Sequence, residues 1–296
     1  MKNLYVKLKY NRIQNYLKEK KRNFMFQVVL RLVETYMTEY PREFWDLLLM
    51  AYSQKTSTIG THNLSTREKW LEETLLKIPG GCSILDAGAG ELQYKKFCSH
   101  LVYTSQDFAQ YDGQGDASGL QIGSWDNSKL DIISDITSIP RPNASFDSVM
   151  CIEVLEHVPH PVAAIKEMVR ILKPGGWLVI TAPFASLTHF SPYHFTSGFS
   201  HYFYEYWAAE LGLEILDLQA NGNYFDYIAQ ELNRLPDIAS KYAAMEIDKE
   251  QVIIKALLGK LGELSKADRG STELLTYGFH FFARKQGNGE NKHSAK

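Results

Sequence analysis

No run of this 296-residue chain is apolar for long enough to cross a bilayer. Stretches such as Leu47-Leu48-Leu49-Met50-Ala51 fall far short of the roughly 20 residues that a spanning helix needs. Cysteine is scarce: Cys82, Cys98 and Cys151 are odd in number and scattered, which excludes a disulfide framework and a zinc motif and points to a reducing compartment, the cytoplasm. Charge of one sign is not in excess. With 32 Lys and Arg against 34 Asp and Glu, the net charge is -2, which weighs against nucleic-acid binding by phosphate neutralisation. The lysines near the start precede no apolar stretch with a cleavage site, so no secretory signal is expected. There is no internal repeat. What is present is apolar material, 45% of residues, enough for a large core.

Three textures follow one another. Residues 1–60 are rich in Lys, Leu, Tyr and Glu, hold one proline (Pro41), and read as an N-terminal helical extension. Residues 61–285 read as one α/β domain in which short β-type runs alternate with helical stretches, the pattern of a parallel sheet covered by helices. Strands are expected at Ser83–Asp86, Leu101–Gln106, Leu130–Ser134, Ser148–Ile152, Trp177–Thr181, Leu213–Leu218 and Tyr277–Ala283. The continuous apolar runs Val149-Met150-Cys151-Ile152 and Trp177-Leu178-Val179-Ile180 suit strands buried on both faces. Between them Pro161 opens a helix whose Val162, Ile165, Met168, Val169 and Leu172 share a face, stopped by Pro174-Gly175-Gly176. A helical insertion is expected over 223–270, with Ile247, Val252, Ile253, Leu257, Leu258 and Leu261 on a buried face, and a disordered tail over 286–296.

The segment Asp86-Ala87-Gly88-Ala89-Gly90-Glu91 follows the first strand and is read as opening onto a helix at Leu92–Cys98. Gly88 and Gly90 permit a tight turn and close approach of a ligand, and a helix N-terminus there would attract a carboxylate or phosphate. Asp107 ends the second strand, 21 residues after Asp86, where an acid can accept ribose hydroxyls. Asp135 and Ile136 follow the third strand, placed for an adenine amino group and ring. All lie at carboxyl ends of parallel strands, where open α/β sheets bind ligands. Taken singly, each acid could equally be a solvated loop carboxylate. Gln93 occupies the third glycine position of a Gly-x-Gly-x-x-Gly frame, which counts against nicotinamide chemistry.

Three motifs in order, Ile84-Leu85-Asp86-Ala87-Gly88-Ala89-Gly90, Phe146-Asp147-Ser148-Val149-Met150-Cys151-Ile152-Glu153-Val154-Leu155-Glu156-His157-Val158 and Leu172-Lys173-Pro174-Gly175-Gly176, resemble the class I S-adenosylmethionine-dependent methyltransferase family. The resemblance spans about residues 80–222 and resumes at the final strand. It implies a doubly wound, Rossmann-like sheet of seven strands, mostly parallel with the last antiparallel. It implies S-adenosylmethionine as cofactor, with Asp86, Gly88, Gly90 and the adjoining Glu91 at its methionine end, Asp107 on the ribose, Asp135 and Ile136 on the adenine, and Glu153 near the sulfonium. The sequence departs at Leu92, where many members carry another glycine.

For an oxygen nucleophile a base is useful. His157, just after the fourth strand, is one candidate; the other reading is that it fixes the following loop. His194, with Tyr193, is the second, from the aromatic and His-rich loop Thr188–Phe203; its aromatics could instead cover the core. His280, mid-strand, reads as structural. Glu153, Glu156 and His157 also resemble a metal-binding pattern of some ubiquinone-pathway and small-RNA methyltransferases, to which His194 could add a ligand; the site is nonetheless read as metal-free. Residues 2–22 hold eight Lys or Arg against Glu19, which suits contact with an anionic membrane or substrate. The broken apolar periodicity near Asn11 and Arg12 favours a solvated helix instead. The expectation is a methyltransferase acting on an oxygen of a small molecule such as a sugar or biosynthetic intermediate. Metal-assisted methylation of a quinone precursor or RNA hydroxyl, or binding without turnover, are the alternatives.

Overall fold

The computed structural model describes residues 57–248 and 250–287. The expectations for residues 1–56, including membrane contact through 2–22, and for the tail from 288 lie outside the described residues. One compact unit takes in Thr58–Glu246 and Lys260–Lys296; residues 247–259 fall in a second.

The first unit is built on seven strands: β1 (Ser83–Ala87), β2 (Val102–Asp107), β3 (Ile132–Ile133), β4 (Phe146–Ile152), β5 (Leu172–Pro183), β6 (Leu213–Asn221) and β7 (Gly278–Lys285). Their order is β3-β2-β1-β4-β5-β7-β6. The ladders from β3 to β5 are parallel, and β7 runs antiparallel to both β5 and β6. The chain winds outward from β1 to β3 and then returns to β4 on the other side of β1. The β1–β4 boundary is therefore the switch point at which such sheets open a crevice.

Successive residues of β4 explain its unbroken apolar run. Val149 and Cys151 face one core with Leu178 and Ile180, while Met150 and Ile152 face another with Val179. The first core is covered by α2 (Pro161–Ile171) and α3 (His201–Glu210), the second by α1 (Asn63–Leu75) through Trp70, Leu71 and Leu75. Trp70 Nε1 also donates to Asp217 of β6 at 2.8 Å, which fixes α1 over the sheet. Pro161 stands in the first turn of α2, as expected. β5 begins directly at Leu172, whose extended backbone pairs with Phe146, and the register then slips before Ser148. The turn expected at Pro174-Gly175-Gly176 is thus absorbed into a longer strand.

The sequence reading needs correction at the glycine loop. No α-helix follows it; a single 3-10 turn, Lys95–Phe97, stands there. Gly90 (φ +49°) and Leu92 (φ +64°) are both left-handed, so a helix cannot start across them. A helix N-terminus is therefore not available to the loop as an anion site. Leu92 adopts the conformation in which a glycine is easiest, which accounts for glycine being favoured there.

After β6, Asn223 caps α4 (Tyr224–Ile238), accepting from the Phe225 and Asp226 N–H groups while Asp226 accepts from the Asn223 N–H. α5 (Gln251–Lys266) follows. In it Ile254, Ala256 and Leu258 are buried, but Ile253 and Leu257 are exposed, unlike the face expected from the sequence. No helix among the described residues is long and apolar enough to cross a membrane.

Candidate functional site

A cavity of about 1180 Å³ opens at the carboxyl ends of β1 to β5. Gly88, Gly90 and Glu91 line it from the loop after β1, Asp107 from the end of β2, Asp135 and Ile136 from beyond β3, and Glu153, Glu156 and His157 from beyond β4. Residues far apart in sequence converge because parallel strands end on one edge.

The loop is held from β2. The Gly88 and Ala89 N–H groups donate to the Gln106 carbonyl at 2.8 and 2.9 Å, and the Gly90 N–H donates to Asp107 Oδ2 at 3.0 Å. Gly88 is left-handed (φ +83°), and a Cβ there would run into Val154. At Gly90 a Cβ would meet the Trp125 ring, which covers the loop. Glu91 tethers that cover by accepting from the Asp126 N–H at 3.0 Å.

Asp86 differs from its expected place. It does not line the cavity; it is buried behind the loop and accepts from Tyr103 Oη at 2.6 Å. Burial pushes its carboxyl up to about 7, against the pull of the Tyr103 hydrogen bond. Asp107 is also buried, which raises its pKa, while the N–H groups of Ala109, Gly90 and Phe108 act in the opposite direction. A carboxylate offers about four lone-pair sites, so Asp107 retains acceptor capacity beyond these donors. Asp135 is exposed and accepts from Thr137 N–H and Oγ1, both at 2.7 Å; Ile136 is buried beside it. Gln106 lines the cavity with a buried Oε1 that has no partner among the described residues.

Glu153 is a non-glycine residue at φ +56°, a sparsely populated conformation. It is held by its N–H to Thr181 O (2.8 Å), by Thr181 Oγ1 to its Oε1 (2.8 Å), and by Arg67 Nη1 at 2.9 Å from Oε2. Arg67, from α1, lines the cavity and keeps a buried Nε without a partner among the described residues.

Glu156, His157 and His189 form a second cluster whose ligand atoms lie within 4.8 Å of one another. Glu156 is fully buried, and neither carboxyl oxygen has a hydrogen-bond partner among the described residues. Burial, and then the Glu153 charge, push its pKa well above the carboxylate range. His157 Nδ1 donates to the Tyr193 carbonyl (2.5 Å) and His189 Nδ1 to the Leu187 carbonyl (2.8 Å). Since a carbonyl only accepts, neutral rings keep their lone pairs on Nε2, 3.6 and 3.9 Å from Glu156 Oε1. Burial, then His189 and His194, lower the His157 pKa to about 3.

His189 stands where the sequence reading put His194. His194 does not line the cavity; its Nε2 meets Ser186 Oγ at 3.1 Å, and that hydroxyl donates to Ser197 O. His280 is buried in β7 against Trp70 and also lies off the cavity. The sequence reading missed Arg67 and Trp125. A lone arginine in a polar helix looks solvated, whereas Trp125, isolated in the polar stretch Gly123–Ser128, is a signal that could have found it.

Residues 85–180 match the family described as a methyltransferase domain. The chain is similar to the ubiquinone biosynthesis O-methyltransferase of Xanthomonas axonopodis pv. citri (strain 306), 31% identical over 106 residues, 35% of this chain and 44% of that protein. It is 28% identical over 120 residues to the ubiquinone biosynthesis O-methyltransferase of Leptothrix cholodnii (strain ATCC 51168 / LMG 8142 / SP-6), covering 39% and 49%. The chain thus spans less than half the length of these curated relatives. Among solved structures, geranyl diphosphate methyltransferase in complex with SAM is matched over 75% of this chain and 85% of that one, at 12% identity and a TM-score of 0.44. Over residues 85–180, then, the chain is similar to a methyltransferase domain.

Proposed function

We propose that this protein transfers a methyl group from S-adenosylmethionine to an oxygen of a small-molecule acceptor, with residues 61–285 as the catalytic domain and the cytoplasm as its setting. The observation that carries the proposal is the convergence of Gly88, Gly90, Asp107, Asp135 and Ile136 on one cavity at the switch point of the sheet. At about 1180 Å³ that cavity exceeds the ordinary range of about 300–1,000 Å³ for a single small ligand, so cofactor and acceptor can share it. The three cysteines, all unpaired, suit a reducing compartment.

The residues present fit the cofactor. Asp107 takes the ribose hydroxyls, and Asp135 with Ile136 takes the adenine. The unpartnered Gln106 Oε1 offers an acceptor within the cavity, and the unpartnered Arg67 Nε a donor for the methionine carboxylate. Gly88 and Gly90 keep the loop free of side chains on that path. In this reading Asp86 supports the loop from behind, and Glu91 holds the Trp125 cover in place. Glu153, fixed by Arg67 and Thr181, presents a carboxylate next to the methionine end. Bound there, S-adenosylmethionine supplies an activated methyl, and in-line transfer to an acceptor oxygen depends mainly on positioning.

With its pKa lowered to about 3, the His157 ring is too weak a base to be a good proton acceptor. In the metal-free reading it orients the acceptor hydroxyl through the Nε2 lone pair. A second reading, metal-assisted transfer, is favoured by one observation: Glu156, His157 and His189 bring a carboxylate and two imidazoles together with their Nε2 and carboxyl atoms unsatisfied or loosely placed. Both rings donate Nδ1–H to a carbonyl, the usual outer support of a ligating histidine. A donor set of one carboxylate and two imidazoles suits zinc or another first-row divalent ion, which would lower the pKa of the acceptor hydroxyl. Glu153 is not part of that set, being engaged by Arg67 and Thr181.

Calorimetry with S-adenosylmethionine, followed by transfer of a labelled methyl group into small-molecule pools, tests the proposal. Wild-type protein that binds no cofactor would end it, and binding without any transfer would leave a binding protein. Transfer abolished by chelation selects the metal-assisted reading.

A further inference from the structure

One cation lining the cavity has no part in holding the cofactor. Gln230 and Arg234 stand one turn apart on the same face of α4, and both line the cavity. Arg234 Nη1 donates to Glu231 Oε1 at 2.7 Å, and Gln230 Nε2 donates to the same oxygen at 3.1 Å. Glu231 itself does not line the cavity. Nε and Nη2 of Arg234 have no hydrogen-bond partner among the described residues, so part of the guanidinium fork is uncommitted while the head is steadied by Glu231.

Glu153 is matched by Arg67 at 2.9 Å, and both of these side chains line the cavity. Arg234 is the cavity-lining cation whose partner stands outside the lining. Leu187, Phe195 and Tyr277 supply an apolar and aromatic wall.

We infer that the acceptor carries an anionic group, a carboxylate or a phosphate, and that Arg234 recognises it while the Glu156, His157 and His189 cluster receives the hydroxyl; this rests on the methyl-transfer reading of the same cavity. A guanidinium fork with free N–H groups matches either oxyanion, and the charge-assisted hydrogen bonds it makes are stronger than neutral ones. A neutral acceptor of the same shape would leave the fork unmatched.

The test titrates protein saturated with S-adenosylhomocysteine with benzoate, phenyl phosphate and neutral benzamide, read by calorimetry. Wild-type protein should bind at least one of the two anions about tenfold or more tightly than benzamide. Which anion it is separates a carboxylate from a phosphate acceptor. Arg234→Gln should remove the preference, Arg234→Lys should retain part of it, and neither should change the affinity for S-adenosylhomocysteine. The Arg234–Glu231 pair is partly exposed, so its loss should cost the fold little. Anions that bind no better than benzamide, or a preference that survives Arg234→Gln, overturn the inference while the methyl-transfer reading stands. If wild-type protein fails to bind S-adenosylhomocysteine, the methyl-transfer reading falls. The same anion titration on the free protein then still decides whether Arg234 selects an anion.

Discussion

Asp107 carries two separable loads, and replacing it should show both. The carboxylate is buried and accepts from the Gly90 N–H at 3.0 Å and the Ala109 N–H at 2.9 Å, which ties the glycine loop to the end of β2. In the proposed complex it also takes two ribose hydroxyls. Hydrogen bonds to a charged group are worth about 1.5–3 kcal/mol each, so losing two removes about 3 kcal/mol at the lower bound, roughly a hundredfold in affinity. The backbone load is independent of any ligand. Asp107→Ala strands the buried Gly90 N–H at about 1–3 kcal/mol and frees the part-buried Ala109 N–H at less, whereas Asp107→Asn keeps one acceptor oxygen in place. Calorimetry with S-adenosylmethionine should therefore show both variants binding at least roughly a hundredfold more weakly. Urea unfolding without ligand should show the Ala variant less stable than the Asn variant. Unchanged cofactor affinity in both variants would refute the ribose assignment, and equal stabilities would refute the account of the loop.

Other expectations follow from single contacts. Burial holds the His280 ring at a pKa of about 3, so below its ordinary 6.5 the unfolded chain takes up a proton that the folded chain refuses. The neutral ring is no liability above pH 6.5, and stability is lost as the pH falls from there towards 3. Between pH 7 and pH 5 the loss from this group is about 2 kcal/mol, and urea unfolding of wild type against His280→Gln should show that much less pH dependence in the variant. Gly90→Ala places a methyl against Trp125 on a left-handed residue, at a backbone cost of about 1–2 kcal/mol. It should shift the tryptophan fluorescence and weaken cofactor binding, and a variant that behaves as wild type in both would remove Trp125 from the site. In the metal-assisted reading, zinc should raise the melting temperature of wild type but not of His189→Ala, whereas His194→Ala should respond as wild type. Equal responses from the two variants would show that His189 is not the ligand.

Much of the fold is legible in the amino-acid sequence. β1, β4, β5 and β7 carry runs of apolar residues, β2 opens on the β-formers Val102-Tyr103-Thr104, and the order of these strands among helical stretches implies a parallel sheet with a crevice at its carboxyl edge. Gly88, Asp107, Asp135, Ile136 and Glu153 can be placed at that edge because each follows a strand closely, and strand ends in such a sheet have one destination. The short strand β3 is overextended in the sequence reading, since an edge strand stops where its neighbour stops. It pairs only at Gln106–Ile132 and Asp107–Ile133.

What the amino-acid sequence determined by itself was therefore the sheet, the edge on which ligands meet it, and the likeness of residues 85–180 to a methyltransferase domain. The tertiary structure decided which side chains face one another, because that depends on loops whose course no local pattern encodes. It put His189 rather than His194 beside Glu156, since a carbonyl of the same loop, Leu187 O, captures His189 Nδ1, while Ser186 holds His194 aside. It set Asp86 behind the glycine loop, replaced the expected helix after that loop with one 3-10 turn because Gly90 and Leu92 are both left-handed, and brought Arg67 and Arg234 to the cavity from helices distant in the chain.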